Sequence, residues 1–451
     1  MEIKNYSFKE LLSVIIDNRG KTCPVSDKGL PLIATNCIKM DSLYPVFERV
    51  RYVSKETYEN WFRGHPEPED IIFVCKGSPG RVALAPDPVN FCIAQDMLSI
   101  RANKEIVDQK FLFALLRSTE TQTKMLNMHV GTLIPHFKKG DFGNLFFDIP
   151  IDKKIQKNIG DIYHMYSEKI ELNRKMNESL EAMAQALFRS WFVDFDPVLD
   201  NFLANNDNNV EALPEPLRKK GAIRLEVAKK NTPEINKLFP NNFVFNEVLE
   251  KWIPEGWRDT NIGDDFNVTM GQSPAGSTFN ENGEGIAFFQ GKTDFGFRFP
   301  KNRIYCTSPK RMARKNETLI SVRAPVGNAN LANSDCSIGR GLCAVIHKSK
   351  SISYTYYSIL ELRKKFDVFE GEGTVFGSIN QNDLKSLEVI KATDSVLDLY
   401  EKLASKNDKK IEIQENQTLS LTKLRDTLLP QLISGKLEVS EAMLEIKKEI
   451  N

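Results

Sequence analysis

Two stretches of this 451-residue chain carry the same apolar rhythm. In the first, Ile155, Ile159, Ile162, Tyr166, Lys169, Asn173, Met176, Leu180, Met183 and Leu187 follow one another in alternating steps of four and three. In the second, displaced by 241 positions, Val396, Tyr400, Leu403, Asn407, Lys410, Gln414, Gln417, Leu421, Leu424 and Leu428 do the same. Steps of four and three place side chains along one stripe of a helix, and an apolar stripe of that kind needs a partner surface. Both stripes are apolar at their ends and polar in the middle, with a lysine and then an amide at matching positions. The alternative is two unrelated amphipathic helices, each covering its own domain, which would share those polar breaks only by accident. The pattern predicts two rods of about 50 Å, at 1.5 Å rise per residue, packed on each other. The polar positions fix register at a cost in stability.

The rest of the chain is also written twice, in the same order. DIIFVCKGSPGRVALA from Asp70 parallels TLISVRAPVGNANLA from Thr318: an apolar strand, a basic residue, then a glycine loop with proline. CIAQDMLSI from Cys92 parallels CSIGRGLCAV from Cys336, and GTLIPHFKKGDFGNL from Gly131 parallels GTVFGSINQNDLKSL from Gly373. RGKTCP, Arg19 to Pro24, is echoed by MGQSP, Met270 to Pro274. The fold class expected is α/β (α+β): two tandem globular domains made by duplication, with a long helix after each and a pseudo-two-fold relation. The boundaries fall at 1–152 for the first domain and 153–198 for its helix. A linker at 199–255 follows, with NNDNN and LPEPLRKK predicting an exposed, partly irregular path. The second domain covers 256–394, and 395–451 its helix and tail, ending in EAMLEIKKEIN as a fraying helix.

Composition narrows the function. Lys and Arg number 61 against 60 Asp and Glu, so no global charge drives the chain to nucleic acid or membrane, and any such binding rests on local patches. No apolar run approaches the ~20 residues that span a bilayer, and the N-terminus has no signal-peptide layout. A soluble, cytoplasmic protein is expected. The seven cysteines form no CxxC pair, which favours reduced, buried thiols over a disulfide framework or a zinc site. There is no HExxH, no GxxxxGK[ST], no GxGxxG after a strand, no GxSxG and no Asn/Asp-Pro-Pro-aromatic tetrad. Asp194 and Asp196 in ALFRSWFVDFDPV, Ala186 to Val198, stand at a helix end before a proline, where turn and capping roles are usual. Phe188, Trp191, Phe192 and Phe195 in the same stretch are expected to clamp that helix end against LLPQLISGKL of the second helix or against a partner protein. No catalytic or metal-ligating residue is assigned.

A duplicated unit on a helical spacer suits a target in two halves, and duplex DNA with half-sites about 34 Å apart is such a target. The candidate contacts lie in the repeated loops. In the first half they are Arg19, Lys21, Thr22, Lys76, Ser78, Arg81, Thr132, His136, Lys138 and Lys139. In the second they are Gln272, Ser273, Lys292, Arg323, Asn328, Arg340, Thr374, Ser378, Asn380 and Gln381. Arginine and lysine serve phosphates and guanine, and Asn and Gln pair bidentately with adenine. A nuclease or methyltransferase acting alone, and a coiled-coil scaffold that binds no DNA, are the alternatives.

LNRKMNESLEAMAQALFRSWFVDFDPV, Leu172 to Val198, resembles the central conserved region of the specificity subunits of type I restriction-modification enzymes. TLLPQLISGKLEV, Thr427 to Val439, resembles their distal conserved region. IPEGW, Ile253 to Trp257, and GQSPAGSTFNENGEGIAFFQGKTDFG, Gly271 to Gly296, resemble the opening of a target-recognition domain. DNRGKTCPVSDKGLPLIATNCI, Asp17 to Ile38, resembles the same region of another domain type, with Cys23 inserted before Pro24. The resemblance implies a non-catalytic subunit whose two recognition domains each read one half of a bipartite DNA sequence. It implies that the two helices pair antiparallel as a ruler for the gap. It also implies docking of two methyltransferase subunits and of restriction subunits with translocase and nuclease activity. S-adenosylmethionine, ATP and Mg are then expected on the partners and no cofactor on this chain.

Overall fold

The computed structural model describes residues 1–128, 136–227, 233–369 and 377–439. It divides into two compact units, Met1–Lys175 with Gln414–Asn451, and Met176–Ile413. In the first unit the chain builds β1 (Leu12–Ile16), β2 (Leu30–Ile33), β3 (Ile71–Val74), β4 (Val82–Leu84), β5 (Cys92–Ile93) and β6 (Met97–Ala102). Then come α1 (Gln109–Arg117), α2 (Thr119–Met128) and the long α3 (Lys153–Phe192). β3 is a continuous apolar run buried on both faces, and β6 is buried at every position but Arg101, so they become the central strands of an antiparallel sheet ordered β1-β6-β3-β4. β2 and β5 pair in parallel beside it, Leu32 opposite Cys92 and Ile33 opposite Ile93. Phe8, Phe73 and Phe142 pack as a ring cluster at the centre of this core, with Phe8 centroids 5.7 and 4.6 Å from the other two.

The second unit continues with α4 (Asp196–Asn205) and α5 (Glu215–Val227) and repeats the sheet: β7 (Phe266–Met270), β8 (Ile286–Phe289), β9 (Thr318–Ser321), β10 (Ala329–Leu331), β11 (Cys336–Ile338) and β12 (Leu342–His347). α6 (Ile352–Glu361), α7 (Gln381–Lys385) and the long α8 (Asp394–Ile433) complete it. The antiparallel order β7-β12-β9-β10 and the parallel β8/β11 pair match the first unit strand for strand. Each domain is closed by a ribbon of its own ends, Ile3–Ser7 with Phe146–Pro150 and Arg258–Asn261 with Glu388–Lys391. The duplication inferred from the motifs is therefore a duplication of topology.

The segment expected to be an exposed linker is instead part of the second unit's core. Leu199, Phe202, Leu203, Leu213, Leu217, Phe239 and Phe243 are buried in one cluster with Phe188 and Trp191. Their spacing puts Leu199, Phe202 and Leu203 on one face of α4, and the asparagine-rich stretch is only the turn that ends this helix. Arg224 Nε holds Asp200 at 2.8 Å and Lys220 holds Asp194 at 2.7 Å, tying α5 to α4 and to the end of α3. The two aspartates of ALFRSWFVDFDPV are thus structural, Asp196 also accepting from Ser190 Oγ at 2.7 Å. Phe195 sits at φ 60, a conformation that costs a side-chain-bearing residue about 1–2 kcal/mol, and its ring is held against Trp257 at 5.7 Å. The aromatics do not clamp LLPQLISGKL. Phe188 and Phe192 pack on Tyr400 at 5.6 and 5.3 Å and on Tyr354 at 5.8 and 5.2 Å, near the start of α8 rather than its end.

The reason is direction. In the first unit Asn173 Nδ2 donates to Gln417 Oε1 at 2.9 Å and Thr418 Oγ1 at 3.3 Å, and Arg425 reaches Ser167 Oγ at 3.4 Å. In the second, Tyr400 OH donates to the Ala184 carbonyl at 3.0 Å. Within each unit the segments of α3 and α8 run antiparallel. The buried stripe also departs from the expected seam. Lys169, Leu180, Leu187, Gln414 and Leu424 are half-buried, and Asn173, Leu421 and Leu428 are buried, but Met176 and Met183 are 42% and 63% exposed and Lys410 is exposed. Asn177, Ala184 and Phe188, each one residue further on, are buried in their place, as Ile411 is beside Lys410. A helix of 3.6 residues per turn drifts by about 20° per heptad from a strict 3.5 repeat, and two successive steps of four let the stripe follow that drift.

Candidate nucleic-acid interface

In the second unit the candidate loops are laced together by backbone hydrogen bonds. Gly271 N–H donates to Leu342 at 2.9 Å and Gln272 N–H to Ile338 at 3.0 Å. Gly339 and Gly341 donate to Phe289 and Gln290 at 2.9 and 3.2 Å. Val322 N–H donates to Gly341 at 2.9 Å, and Ile379 N–H to Val322 at 3.0 Å. Arg323 and Ser378 form a β-bridge. These approaches need glycine, since a Cβ at Gly271 would lie 2.1 Å from the Gly339 oxygen and one at Gly341 2.4 Å from the Gln290 oxygen. The result is one rim on which Gln272, Lys292, Arg323, Arg340 and Ser378 are exposed and Ser273 is half-buried. Gln290 belongs to the same rim and was not among the expected residues, because it ends an apolar strand with no repeat signal of its own. Arg340 N–H donates to Ser273 Oγ at 3.2 Å, and that hydroxyl donates to Gln290 Oε1 at 3.1 Å. This leaves the amide NH2 of Gln290 as its donor end for another partner.

The first unit makes the same assembly from different residues. Cys75 N–H donates to Asp96 at 2.7 Å, Phe137 N–H to Cys75 at 2.8 Å, and Lys76 bridges His136 as Arg323 bridges Ser378. Asn18, also unforeseen, is the buried brace: its amide donates to Gly64 and Ile93 carbonyls at 3.0 Å and accepts from Arg63 N–H at 2.9 Å. Lys21, Thr22, Lys76, Lys138 and Lys139 are exposed, and Ser78, Arg81 and His136 are half-buried. Arg19 is held in a two-pronged pair with Asp17, both contacts at 2.8 Å. That guanidinium holds the Asp17 carboxyl below the usual carboxylate range, with Lys139 adding to the effect.

Several candidates have local duties. Asn380 caps α7, accepting from Asn382 and Asp383 N–H at 2.8 and 3.0 Å, and Gln381 is exposed at the first position of that helix. The Asn328 amide donates to the Pro325 carbonyl at 3.0 Å within its own loop. Both side chains have less capacity left for a base edge than their residue type promises. Lys138 N–H is held by Asp141 at 3.1 Å, the counterpart of the Asn380 turn, which leaves its ammonium outside. Thr132 and Thr374 lie outside the described residues. All seven cysteines are free and buried, with burial pushing Cys75, Cys92, Cys336 and Cys343 up to about 12. Among the described residues no group of three or more His, Cys, Asp or Glu is arranged to hold a metal, and no helix is long and apolar enough to cross a membrane.

Comparison with known proteins agrees with this architecture. Residues 23–182 match the family model of the type I restriction modification DNA specificity domain. The chain is 27% identical over 378 residues to a putative type I restriction enzyme MjaX specificity subunit of Methanocaldococcus jannaschii, covering 82% of this chain and 79% of that one. It is 26% identical over 383 residues to the type I restriction enzyme HindI specificity subunit of Haemophilus influenzae, covering 77% and 82%. The crystal structure of a type I restriction-modification S subunit from M. genitalium shares the fold at a TM-score of 0.53 and 16% identity, over 96% of both chains. A tandem of like domains, each followed by a long helix, is the class of molecule defined here. The relatives it is similar to by sequence are specificity subunits of type I restriction enzymes.

Proposed function

We propose that this chain is the DNA-reading subunit of a type I restriction-modification complex, each domain recognising one half of a bipartite target. The observation that carries the reading is the repeated juxtaposition of a cationic strand end with the loop after Gly-Thr, Lys76 with His136 and Arg323 with Ser378. Two copies of one scaffold with different side chains suit a target with two different halves. Exposed lysines and arginines on each rim supply phosphate contacts, and Gln272, Gln290, Arg323 and Arg340 supply groups for base edges. In this reading the paired helices set the unread spacer and offer a docking surface to two methyltransferase subunits and, through them, restriction subunits. S-adenosylmethionine, ATP and Mg belong to those partners, and the complex works in the cytoplasm. The chain itself performs no chemistry.

The test is selection of DNA ligands from a random pool by the chain complexed with its methyltransferase partner. The expected outcome is two short specified blocks separated by unspecified positions. A single contiguous block, or no enrichment, contradicts the reading.

A further inference from the structure

The first unit holds a second concentration of positive charge, where α1 and α2 meet α8. Arg117 ends α1 and Arg425 lies on α8, each only 7% exposed. With Ser118, Thr119, Tyr163 and Asp426 they line a cavity of about 140 Å³, close to the size that accommodates a benzene-sized molecule in an engineered core. One nitrogen of Arg117, Nη2, is held by the Met40 carbonyl and by the Lys39 carbonyl at 3.4 Å, while Nη1 is buried without a partner. Arg425 contacts Asp426 through Nε at 2.8 Å and stacks over Tyr163 at 5.2 Å. Asp426 is 53% exposed and is the carboxylate in direct contact, with Asp41 acting only from further away. Burial pushes the Arg117 guanidinium below its ordinary value, with the Arg425 charge adding to the effect.

The second unit handles a buried arginine differently. Arg298, 1% exposed, donates to Asp408 at 2.6 Å, to Glu181 at 3.3 Å and to Tyr357 OH at 2.9 Å, so its charge is met by two carboxylates. At the 241-residue offset between the long helices, the counterparts of Glu181 and Asp408 are Thr422 and Ser167, which carry no charge. The first turn of α2 also opens onto the cavity. Ser118 satisfies Thr121 N–H through Oγ at 3.3 Å and Gln122 N–H through its carbonyl at 3.0 Å. The amides of Thr119 and Glu120 remain as the orphan donors of a ten-residue helix, where negative charge is favoured.

We propose that this cavity is an oxyanion site of phosphate type, held by Arg117, Arg425 and the first turn of α2. The same chemistry is available from a free phosphate or from a phosphodiester of bound DNA, and the experiment separates them. The full-length chain is titrated with inorganic phosphate at constant ionic strength against chloride, read by thermal unfolding and by ³¹P line broadening. Its non-specific DNA affinity is measured across salt in parallel. For a free-phosphate site, phosphate raises Tm above the chloride control, Arg117→Gln weakens phosphate binding at least tenfold, and the DNA salt slope is unchanged. For a DNA phosphate, Arg117→Gln lowers the salt slope by about one. Asp426→Asn, which removes the neighbouring negative charge at a half-exposed position, strengthens binding severalfold in either case. The proposal is overturned if phosphate acts no differently from chloride and the DNA slope of Arg117→Gln is unchanged. It is also overturned if phosphate binding survives Arg117→Gln while the DNA salt slope is unchanged, or if Asp426→Asn leaves both phosphate and DNA binding unchanged or weaker.

Discussion

The two units share a scaffold and differ in what fills it. The strand order, the parallel pair, the closing ribbon and the bridge from strand end to loop occur in both. The side chains on the rim do not recur: Arg19 locked to Asp17 in one, Gln272 and the Ser273–Gln290 relay in the other. The buried charges differ in the same way, with Arg298 matched by two carboxylates and Arg117 by carbonyl groups. Backbone bonding and apolar burial conserve the frame, while residues that face solvent or a ligand are free to diverge. That division is what a pair of readers for two unlike half-sites requires.

The largest expected effect comes from breaking the matched arginine. Arg298→Met strands Glu181 and Asp408 in a largely buried setting, and loss of one partner of such a group costs about 3–5 kcal/mol. Arg117→Met strands no carboxylate partner and is expected to cost clearly less by urea denaturation of the two variants. Equal losses would erase the distinction between the units. Next in size are the rims: Arg323→Gln should cost about 1–3 kcal/mol of specific binding and relax a position in one half-site alone. A quantitative binding series on DNA with each half varied in turn checks this.

Smaller effects sharpen the helix pair. Replacing Asn173 and Gln417 by leucine and Thr418 by valine removes every side chain of a part-buried polar contact, which is expected to leave stability unchanged or raise it by about 1 kcal/mol while loosening spacer preference. Lys410→Leu, outside the buried stripe, should stay within about 0.5 kcal/mol of the parent in the same denaturation assay. The smallest is a pH effect in the second unit. Burial lowers the His347 pKa, so the unfolded chain binds the proton first, and His347 costs stability as pH falls below about 6.5 towards its lower folded value. His347→Asn should flatten that part of the stability–pH curve, and an unaltered curve would show that His347 does not contribute.

Much of this was legible in the residues because burial imposes period and order. Both long helices and the duplicated strand–loop motifs follow from apolar spacing and repeated glycines. Three features were not. The seam after Asn173 moved by one residue because helical drift acts over several turns, while the heptad pattern is read locally. The segment after Leu199 hid its helices because its polar turn dominates the composition, although Leu199, Phe202 and Leu203 already had helical spacing. Residue type does not reveal the cap that Asn380 forms, and the roles of Asn18 and Gln290 are hidden because their partners, Ile93 and Ser273, are distant in sequence.

The central claim is that each loop rim reads its own half of the target. It is tested most directly by mapping, base by base, the sites methylated in cells that carry the complex with Arg323→Gln and Arg340→Gln, or with Lys76→Gln and His136→Gln. The account predicts that each pair alters one block of the motif and leaves the other block and the spacer unchanged. A change in both blocks from either pair, or in neither from both, would contradict it.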